Sequence, residues 1–327
     1  MPKVVLLGSD EIALPAFRAV KSLPGVTVVA VYSQPDRPSG RGQEIRPNPV
    51  AAWARAEGLP LLQPGRLGPE DAASLASLGA DLGVVMAYGQ LLKDDFLAAT
   101  ARGFVNFHGS LLPSLRGATP VEAAIALGLP ATGVTLQQVV RRLDAGPVHA
   151  HAMLEPGRTE GRASLRERIG LLAGEMAEAS LPAVLDGTSS PVPQDESAVT
   201  YTRRLSKADA ALDFASPAEV LDRRVRALEG WPGSAFTHRG ETVKVGAAEV
   251  ADGSGEAGTV LAAGRSGVLI ACGERALLIT RLQRPGGRML PAAEFLSGHP
   301  FVIGERIESA PMPPLVSVAP FPRPGRA

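Results

Sequence analysis

Apolar positions in the first 140 residues follow two alternating patterns. The runs KVVLLG (3–8) and VTVVAVYS (26–33) are apolar and rich in β-branched residues, as strands buried on both faces are. Between them, residues 12–23 repeat apolar positions at helical spacing. A polar loop laden with Pro and Gly, QPDRPSGRGQEIRPNP (34–49), interrupts the pattern. It resumes with helix PVAAWARAEG (49–58), short strand LPLLQ (59–63), a helix near 69–78 and strand DLGVVMA (81–87). Strand GFVNFHG (103–109), helix TPVEAAIALG (119–128) and strand TGVTLQQVV (132–140) continue it. Strands alternating with helices predict a mostly parallel sheet covered on both faces, a Rossmann-like α/β domain.

Residues 160–186 keep apolar side chains at helical spacing and read as one long helix. The stretch DGTSSPVPQDES (186–197) is polar, contains Pro and has no period, as expected of a linker. In SPAEVLDRRVRALEG (216–230), Ser216 with Glu219 three residues on has the form of a capping box. Short β-like runs then recur between glycines: SAFTHRG, TVKVGAAEV, GTVLAAG, GVLIACG and ALLITRLQ. Their spacing predicts a smaller, OB-like β-barrel domain. The expected division is 1–186, a linker at 187–205, the barrel at 206–310 and a poorly ordered Pro-rich tail at 311–327.

Composition adjusts this picture in a few places. At 327 residues and 45% hydrophobic, the chain is long enough for two domains with a core each. Aromatics make up only 4%, so Ala, Val and Leu must fill those cores. Net charge is zero, with 17 basic against 20 acidic residues through residue 200 and 16 against 13 after it. That mild asymmetry fits a second half that touches an anion without establishing one. The single cysteine, Cys272 in VLIACG, rules out an internal disulfide and reads as a buried, inert thiol. The N-terminal apolar stretch is too short for a signal peptide, and no run reaches the ~18 apolar residues of a membrane span. The expectation is a soluble cytoplasmic protein.

Familiar cofactor motifs are missing. Only Gly8 of a G-x-G-x-x-G fingerprint follows the first strand, which argues against a nicotinamide cofactor, and there is no Walker sequence. His149 and His151 in VHAHAM have no third ligand nearby and read as solvent-facing strand histidines, so no metal is expected. Asn106 and His108 alternate at the C-terminal end of a predicted strand, on the same side, with Phe107 opposite. Ligands of α/β domains bind at such strand ends. Taken alone, the pair favours packing, with Asn106 capping the loop and His108 satisfying buried backbone groups. Asp144 in RRLDAG, taken alone, is a turn residue that Gly146 can close. Together, an amide, an imidazole and a carboxylate, each after a neighbouring strand end, form a set suited to acyl transfer. No Ser or Cys nucleophile is needed if the attacking group is the substrate's own amine.

Asn106-x-His108, followed by Ser110-Leu111-Leu112-Pro113, Arg116-Gly117, Pro120 and then Asp144, resembles the signature of the folate-dependent formyltransferases. Within that superfamily, QPDRPSGRG (34–42) with Pro47 and Pro49 is similar to members that formylate methionyl-initiator tRNA. LSKADAALDF (205–214) and RALEGWPGSAF (226–236) are similar to the second domain of the same members, and the likeness runs to about residue 308. The resemblance implies a monomeric enzyme with 10-formyltetrahydrofolate as co-substrate and no metal. Asn106 would hold the formyl oxygen and His108 would stabilise the oxyanion. Asp144 would keep His108 oriented or charged and help remove the amine's proton. Ser110, Leu111, Leu112 and Pro113, with Met86, Ala87 and Tyr88, would hold the folate, partly through backbone groups that pair with the pterin. In the tRNA-dependent members the 34–49 loop inserts against the acceptor stem, with Arg41 as its main contact and Arg37 and Arg46 on phosphates. RRLSK, with Arg203, Arg204 and Lys207, and RRVR (223–226) would form a second RNA-facing surface on the barrel domain.

Two departures stand out. The family's usual Gly-Thr-Pro after the first strand is here Gly8-Ser9-Asp10. The approach VVRRLDAGPV to Asp144 is similar to formyltransferases that act on amino sugars attached to nucleotides, which makes such a sugar the alternative acceptor. The QPDRPSGRG loop separates the two, because a small acceptor does not need it. A non-catalytic RNA-binding protein using the barrel alone is a third reading, and the Asn–His–Asp set argues against it.

Overall fold

A computed structural model of the chain describes residues 1–39 and 44–322. Two compact units interleave in sequence. The first comprises Met1–Gly117, Ala131–Glu155 and Arg166–Thr200; the second comprises Ala118–Pro130, Pro156–Leu165 and the chain from Tyr201 onward.

Through Gly117 the elements are β1 (Lys3–Leu7), α1 (Leu14–Ser22), β2 (Thr27–Tyr32), β3 (Arg37–Ser39), β4 (Glu44–Arg46), α2 (Pro49–Ala56) and β5 (Leu61–Leu62). They continue with α3 (Pro69–Ser77), β6 (Leu82–Val85), α4 (Asp94–Leu97), β7 (Phe104–His108) and β8 (Arg116–Gly117). After α5 (Pro120–Leu127), in the second unit, come β9 (Thr132–Gln138), β10 (Val148–Leu154) and α6 (Arg162–Asp186). The first unit is built on a seven-stranded sheet in the order β10-β9-β7-β6-β1-β2-β5. Strands β5, β2, β1, β6 and β7 run parallel, as the alternation predicts. Val4 to Leu7 of β1 are fully buried at its centre, and Phe104 of β7 packs where a Cβ at Gly83 would lie only 2.0 Å from its ring.

The alternation fails at β9. It pairs antiparallel to β7, with His108 opposite Thr135 and Val105 opposite Gln138, and β10 pairs antiparallel to β9. A parallel crossover needs a helix packed on the same sheet, and α5 between β7 and β9 is counted with the other unit. Local signals hold elsewhere. Asn48 caps α2 by accepting from the Ala51 N–H at 3.0 Å, with Pro49 in the first turn.

The second unit adds β11 (Tyr201–Thr202), α7 (Ala218–Ala227), β12 (Ser234–His238), β13 (Glu241–Ala251), β14 (Val260–Gly264) and β15 (Gly267–Ala271). It ends with β16 (Ala276–Gln283), β17 (Leu290–Pro291), α8 (Ala292–Gly298) and β18 (Val316–Ser317). Its antiparallel sheet runs β12-β13-β16-β15-β14. Register shifts on either side of Ala247 bend β13. Residues 306–308 bridge both edges, with Thr237 meeting Glu308 and Thr259 meeting Arg306, which fits the small barrel expected. Its core gathers Phe214, Leu221, Phe236, Val243, Ile270 and Ile279.

Two expectations change here. The helix α7 starts at Ala218 after Pro217, with no side-chain cap, so Ser216 and Glu219 form no capping box. Glu219 pairs instead with Arg275 at 3.1 Å. The Pro-rich segment is anchored at one point: Leu315 is buried and β18 pairs with β11 through Val316 and Ser317, while Val318–Pro320 are exposed. Proline lacks a donor but leaves its neighbours free to pair at an edge.

Candidate active site

Asn106 and His108 lie on one face of β7 at the C-terminal edge of the parallel strands, with Phe107 buried on the other. Strand pleating dictates that alternation. The His108 ring is 5% exposed. Its Nε2 is 2.9 Å from the Leu115 carbonyl oxygen, which can only accept, so Nε2 carries hydrogen there. Part of the packing role expected of a lone histidine is therefore real. The other nitrogen, Nδ1, faces Asp144 Oδ2 at 3.7 Å. Asn106 is half-buried, and among the described residues its carboxamide has no hydrogen-bond partner.

Asp144 arrives by a different route from the one expected. Because β9 is antiparallel, its C-terminal end lies beside the start of β7 and not beside His108. The loop 139–147 must fold back, and two backbone features allow it. Asp144 sits in the left-handed region with φ 46°. A Cβ at Gly146 would lie 1.7 Å from the Gln138 carbonyl oxygen, so only glycine fits there. The Asp144 carboxylate then accepts from the Gly117 N–H at 2.8 Å and from Gln137 Nε2 at 3.2 Å. Gly117 holds φ 119°, which gives the Arg116-Gly117 pair a physical reason.

Beneath the loop lies a network that the sequence did not signal. Arg116 is fully buried, and its guanidinium donates to Gln194 Oε1 and to Glu196 Oε1. Glu196 also pairs with Arg142 at 2.7 Å. Hydrogen bonds from Arg116 and then Arg142 hold the Glu196 carboxyl down at about 2. Gln194 Nε2 donates in turn to the carbonyls of Asp144 and Gly146.

The residues expected to hold a folate are placed unevenly. Ser110 and Leu112 are buried and committed internally. Ser110 Oγ donates to the Ser114 carbonyl, and Leu112 N–H donates to Thr135 Oγ1. The Leu112 carbonyl is also taken, by His151 Nε2 at 3.0 Å. Leu111 and Pro113, partly exposed on a cis Leu112–Pro113 turn, are the members that face outward. Met86 and Tyr88, just after β6, are buried, whereas Ala87 is exposed at φ 51°. Burial also pushes the Tyr88 phenol well above its usual range. Of the two strand histidines only His151 is exposed. His149 is half-buried between Ser189 and Gln138, and desolvation lowers its pKa.

Within the 34–49 loop, β3 and β4 form a hairpin that sets Arg37 opposite Arg46. Both are exposed; Arg46 pairs with Glu44 at 2.9 Å, and Arg37 reaches Gln34 at 3.4 Å. Arg41 lies outside the described residues. The loop base is fixed by polar side chains, with Ser33 Oγ donating to Asn48 Oδ1 and Asn48 Nδ2 to the Gln34 carbonyl.

The basic segments of the second unit divide sharply. Lys207 and Arg204 are exposed. Arg203 is turned inward, donating to the fully buried Asp209 carboxylate and to the Pro314 carbonyl. Burial alone would raise the Asp209 pKa, but the bonds from Arg203 and Ser206 outweigh it and hold the carboxyl low. The RRVR segment faces inward as well. Arg224 is buried against the Asp209 carbonyl, Arg226 pairs with Asp222, and Arg223 donates to the Ala126 carbonyl. Cys272 is buried, and burial pushes its thiol up to about 11. No helix among the described residues is long and apolar enough to cross a membrane.

An unpaired carboxamide donor, an imidazole and a carboxylate on one sheet edge can stabilise an oxyanion and accept a proton, the requirements of acyl transfer to an amine. Comparisons with known proteins agree. The formyl transferase family pattern matches residues 3–177, and that of the formyl transferase C-terminal domain matches residues 204–300. The methionyl-tRNA formyltransferase of Halorhodospira halophila is 42% identical over 309 residues, 94% of this chain and 99% of that protein. That of Myxococcus xanthus is 42% identical over 311 residues, 93% and 99% of the two chains. Among solved structures, an N-formyltransferase from Helicobacter canadensis in complex with folinic acid and dTDP-3-aminofucose has a TM-score of 0.66 at 13% identity, covering 85% of this chain and 99% of that one. HypX from Aquifex aeolicus, in complex with tetrahydrofolic acid, has a TM-score of 0.59 at 17% identity. It covers 94% of this chain, which spans 50% of HypX. The structural likenesses establish a shared fold, and the near-full-length relatives go further: the chain belongs to the methionyl-tRNA formyltransferase family.

Proposed function

We propose that the protein transfers the formyl group of 10-formyltetrahydrofolate to the amino group of methionyl-initiator tRNA. The observation that carries this reading is the meeting of Asn106, His108 and Asp144 at the C-terminal edge of β7 in a chain of this family. The first unit would perform the transfer, and the second would contribute to tRNA binding. The folate-bound neighbours support a folate donor, with Leu111, Pro113 and Ala87 as the outward-facing members of its site.

The amine nitrogen attacks the formyl carbon, and its lone pair becomes the new C–N bond. Asn106 Nδ2 donates to the formyl oxygen as negative charge builds there. His108 is held at Nε2 by the Leu115 carbonyl, which leaves Nδ1 to face the reacting centre. Asp144 orients His108 from the Nδ1 side and takes the proton that the attacking nitrogen must lose. Collapse of the tetrahedral intermediate breaks the bond to N10 of the folate, which receives that proton. Arg37 and Arg46 on the hairpin, with Arg41, Arg204 and Lys207, are proposed to contact RNA phosphates. Arg203, engaged with Asp209, supports the second unit instead.

A nucleotide-linked amino sugar is the less supported acceptor, because sugar N-formyltransferases that share this fold are 13–18% identical. The test supplies labelled 10-formyltetrahydrofolate with either charged initiator tRNA or a dTDP-amino sugar. Label on the methionyl-tRNA alone is expected; label on the sugar alone would overturn the assignment.

A further inference from the structure

We infer that Gln194 is a positioning residue for formyl transfer: oriented by the buried Arg116, its side-chain amide holds the Asp144 loop facing His108. This rests on the formyl-transfer reading above and adds to it a residue that does not touch the reacting atoms.

The geometry leaves little choice in how Gln194 sits. Arg116 can only donate, and its Nε and Nη2 lie 3.1 and 2.8 Å from Gln194 Oε1. On the other side, the carbonyls of Asp144 and Gly146 can only accept, and they lie 2.9 and 2.7 Å from Nε2. The amide orientation therefore follows from its neighbours. Nε2 also lies 3.3 Å from Gln137 Oε1, and Gln137 is the side chain that donates to the Asp144 carboxylate. One amide thus steadies Asp144 twice, through its backbone and through the residue that binds its side chain.

The loop needs such a brace. Asp144 holds a left-handed backbone angle, one that Asp tolerates better than most side chains but that regular structure does not supply. Between Val139, whose N–H still reaches the Phe104 carbonyl, and Pro147, whose carbonyl accepts from Gln138, no regular hydrogen-bond ladder supports the loop. Two residues beyond Gln194, Glu196 grips Arg142 of the same loop and Arg116 behind it. Segment 194–196 therefore joins the Asp144 loop to the Arg116-Gly117 strand, whose Gly117 N–H binds the Asp144 carboxylate.

Gln194→Glu tests this with little change of shape. The glutamate keeps an acceptor for Arg116, replaces the N–H donors, and sets an oxygen against two carbonyls. The expected result is a kcat lower by roughly 10- to 100-fold, with KM for donor and for charged tRNA within about 2-fold of wild type. Placed on top of Asp144→Asn, the same change should cost less than about 2-fold more, because residues acting through one group are not additive. Gln194→Ala, read in the same cycle, covers poor folding of the glutamate variant. Three results would overturn the inference: wild-type kcat in Gln194→Glu, a rise in KM with kcat intact, or an undiminished loss in the Asp144→Asn background. A wild-type protein that formylates no tRNA would instead sink the formyl-transfer reading, and this inference with it.

Discussion

His108 Nδ1 and Asp144 Oδ2 face each other across 3.7 Å although the strands leading to them run in opposite directions. The pairing exists because the 139–147 loop turns back along the sheet edge. That return depends on Gly146, on a left-handed Asp144 and on the Gly117 amide.

Gly146 should therefore be intolerant of even one methyl group. Gly146→Ala would press a Cβ into the Gln138 carbonyl. The loop would have to shift, with about 1–3 kcal/mol lost in stability. Because a displacement of ~1 Å at a catalytic group can cost on the order of 100-fold, kcat should fall well beyond what the stability loss explains. Denaturant melts and steady-state formylation of the same variant check both parts.

The arginines of RRLSK should separate into two classes. Removing Arg203 leaves the buried Asp209 carboxylate without its main partner, and Arg203→Ala should cost about 3–5 kcal/mol. Lys207→Ala, on an exposed residue, should change stability by less than about 0.5 kcal/mol while raising the KM for tRNA. Thermal melts and tRNA titrations at two salt concentrations distinguish them.

The second unit should lose stability in mild acid. His299 Nε2 is 2.8 Å from His238 Nδ1, which sits between His299 and Glu305, while Glu241 lies near His299 Nδ1. Burial first, and then His238 and Arg284, lower the His299 pKa below its ordinary 6.5. The unfolded chain then binds a proton that the folded chain resists, so stability rises with pH across this range. It should be full above about pH 6.5 and fall as pH drops through the folded-state value. Melting curves at several pH values test this, and His299→Gln should flatten the dependence.

The loop at 34–49 should act on the acceptor alone. Arg41→Ala should weaken formylation of charged tRNA while leaving folate binding intact, and Arg37→Ala with Arg46→Ala should reduce the salt dependence of tRNA binding. Parallel titrations with the folate and with tRNA check this; equal loss of both would count against the loop's role.

Much of the first unit could be read from the sequence because its signals are local. Continuous apolar runs marked β1, β2, β6 and β7, and strand alternation placed Asn106 and His108 on one face. The antiparallel turn at β9 was hidden because periodicity identifies a strand but not its direction. Gln194 and Glu196 were hidden for a different reason. They lie in a polar, aperiodic stretch that looks like a linker, and their partners Arg116 and Asp144 are 78 and 50 residues away for Gln194. Arg203 and Arg224 read as surface charge, yet a buried carboxylate far from obvious in KADA draws both inward. Asp144 faces His108 from a loop and not from a strand end, a route that strand periodicity does not encode.

The central claim, that Asn106, His108 and Asp144 carry formyl transfer, is tested most directly by single-turnover transfer from labelled 10-formyltetrahydrofolate to charged initiator tRNA in His108→Ala. A loss of ~10²–10⁴ in the transfer rate, with folate and tRNA still bound at near wild-type affinity, is the expected result. A near-normal rate would contradict the account.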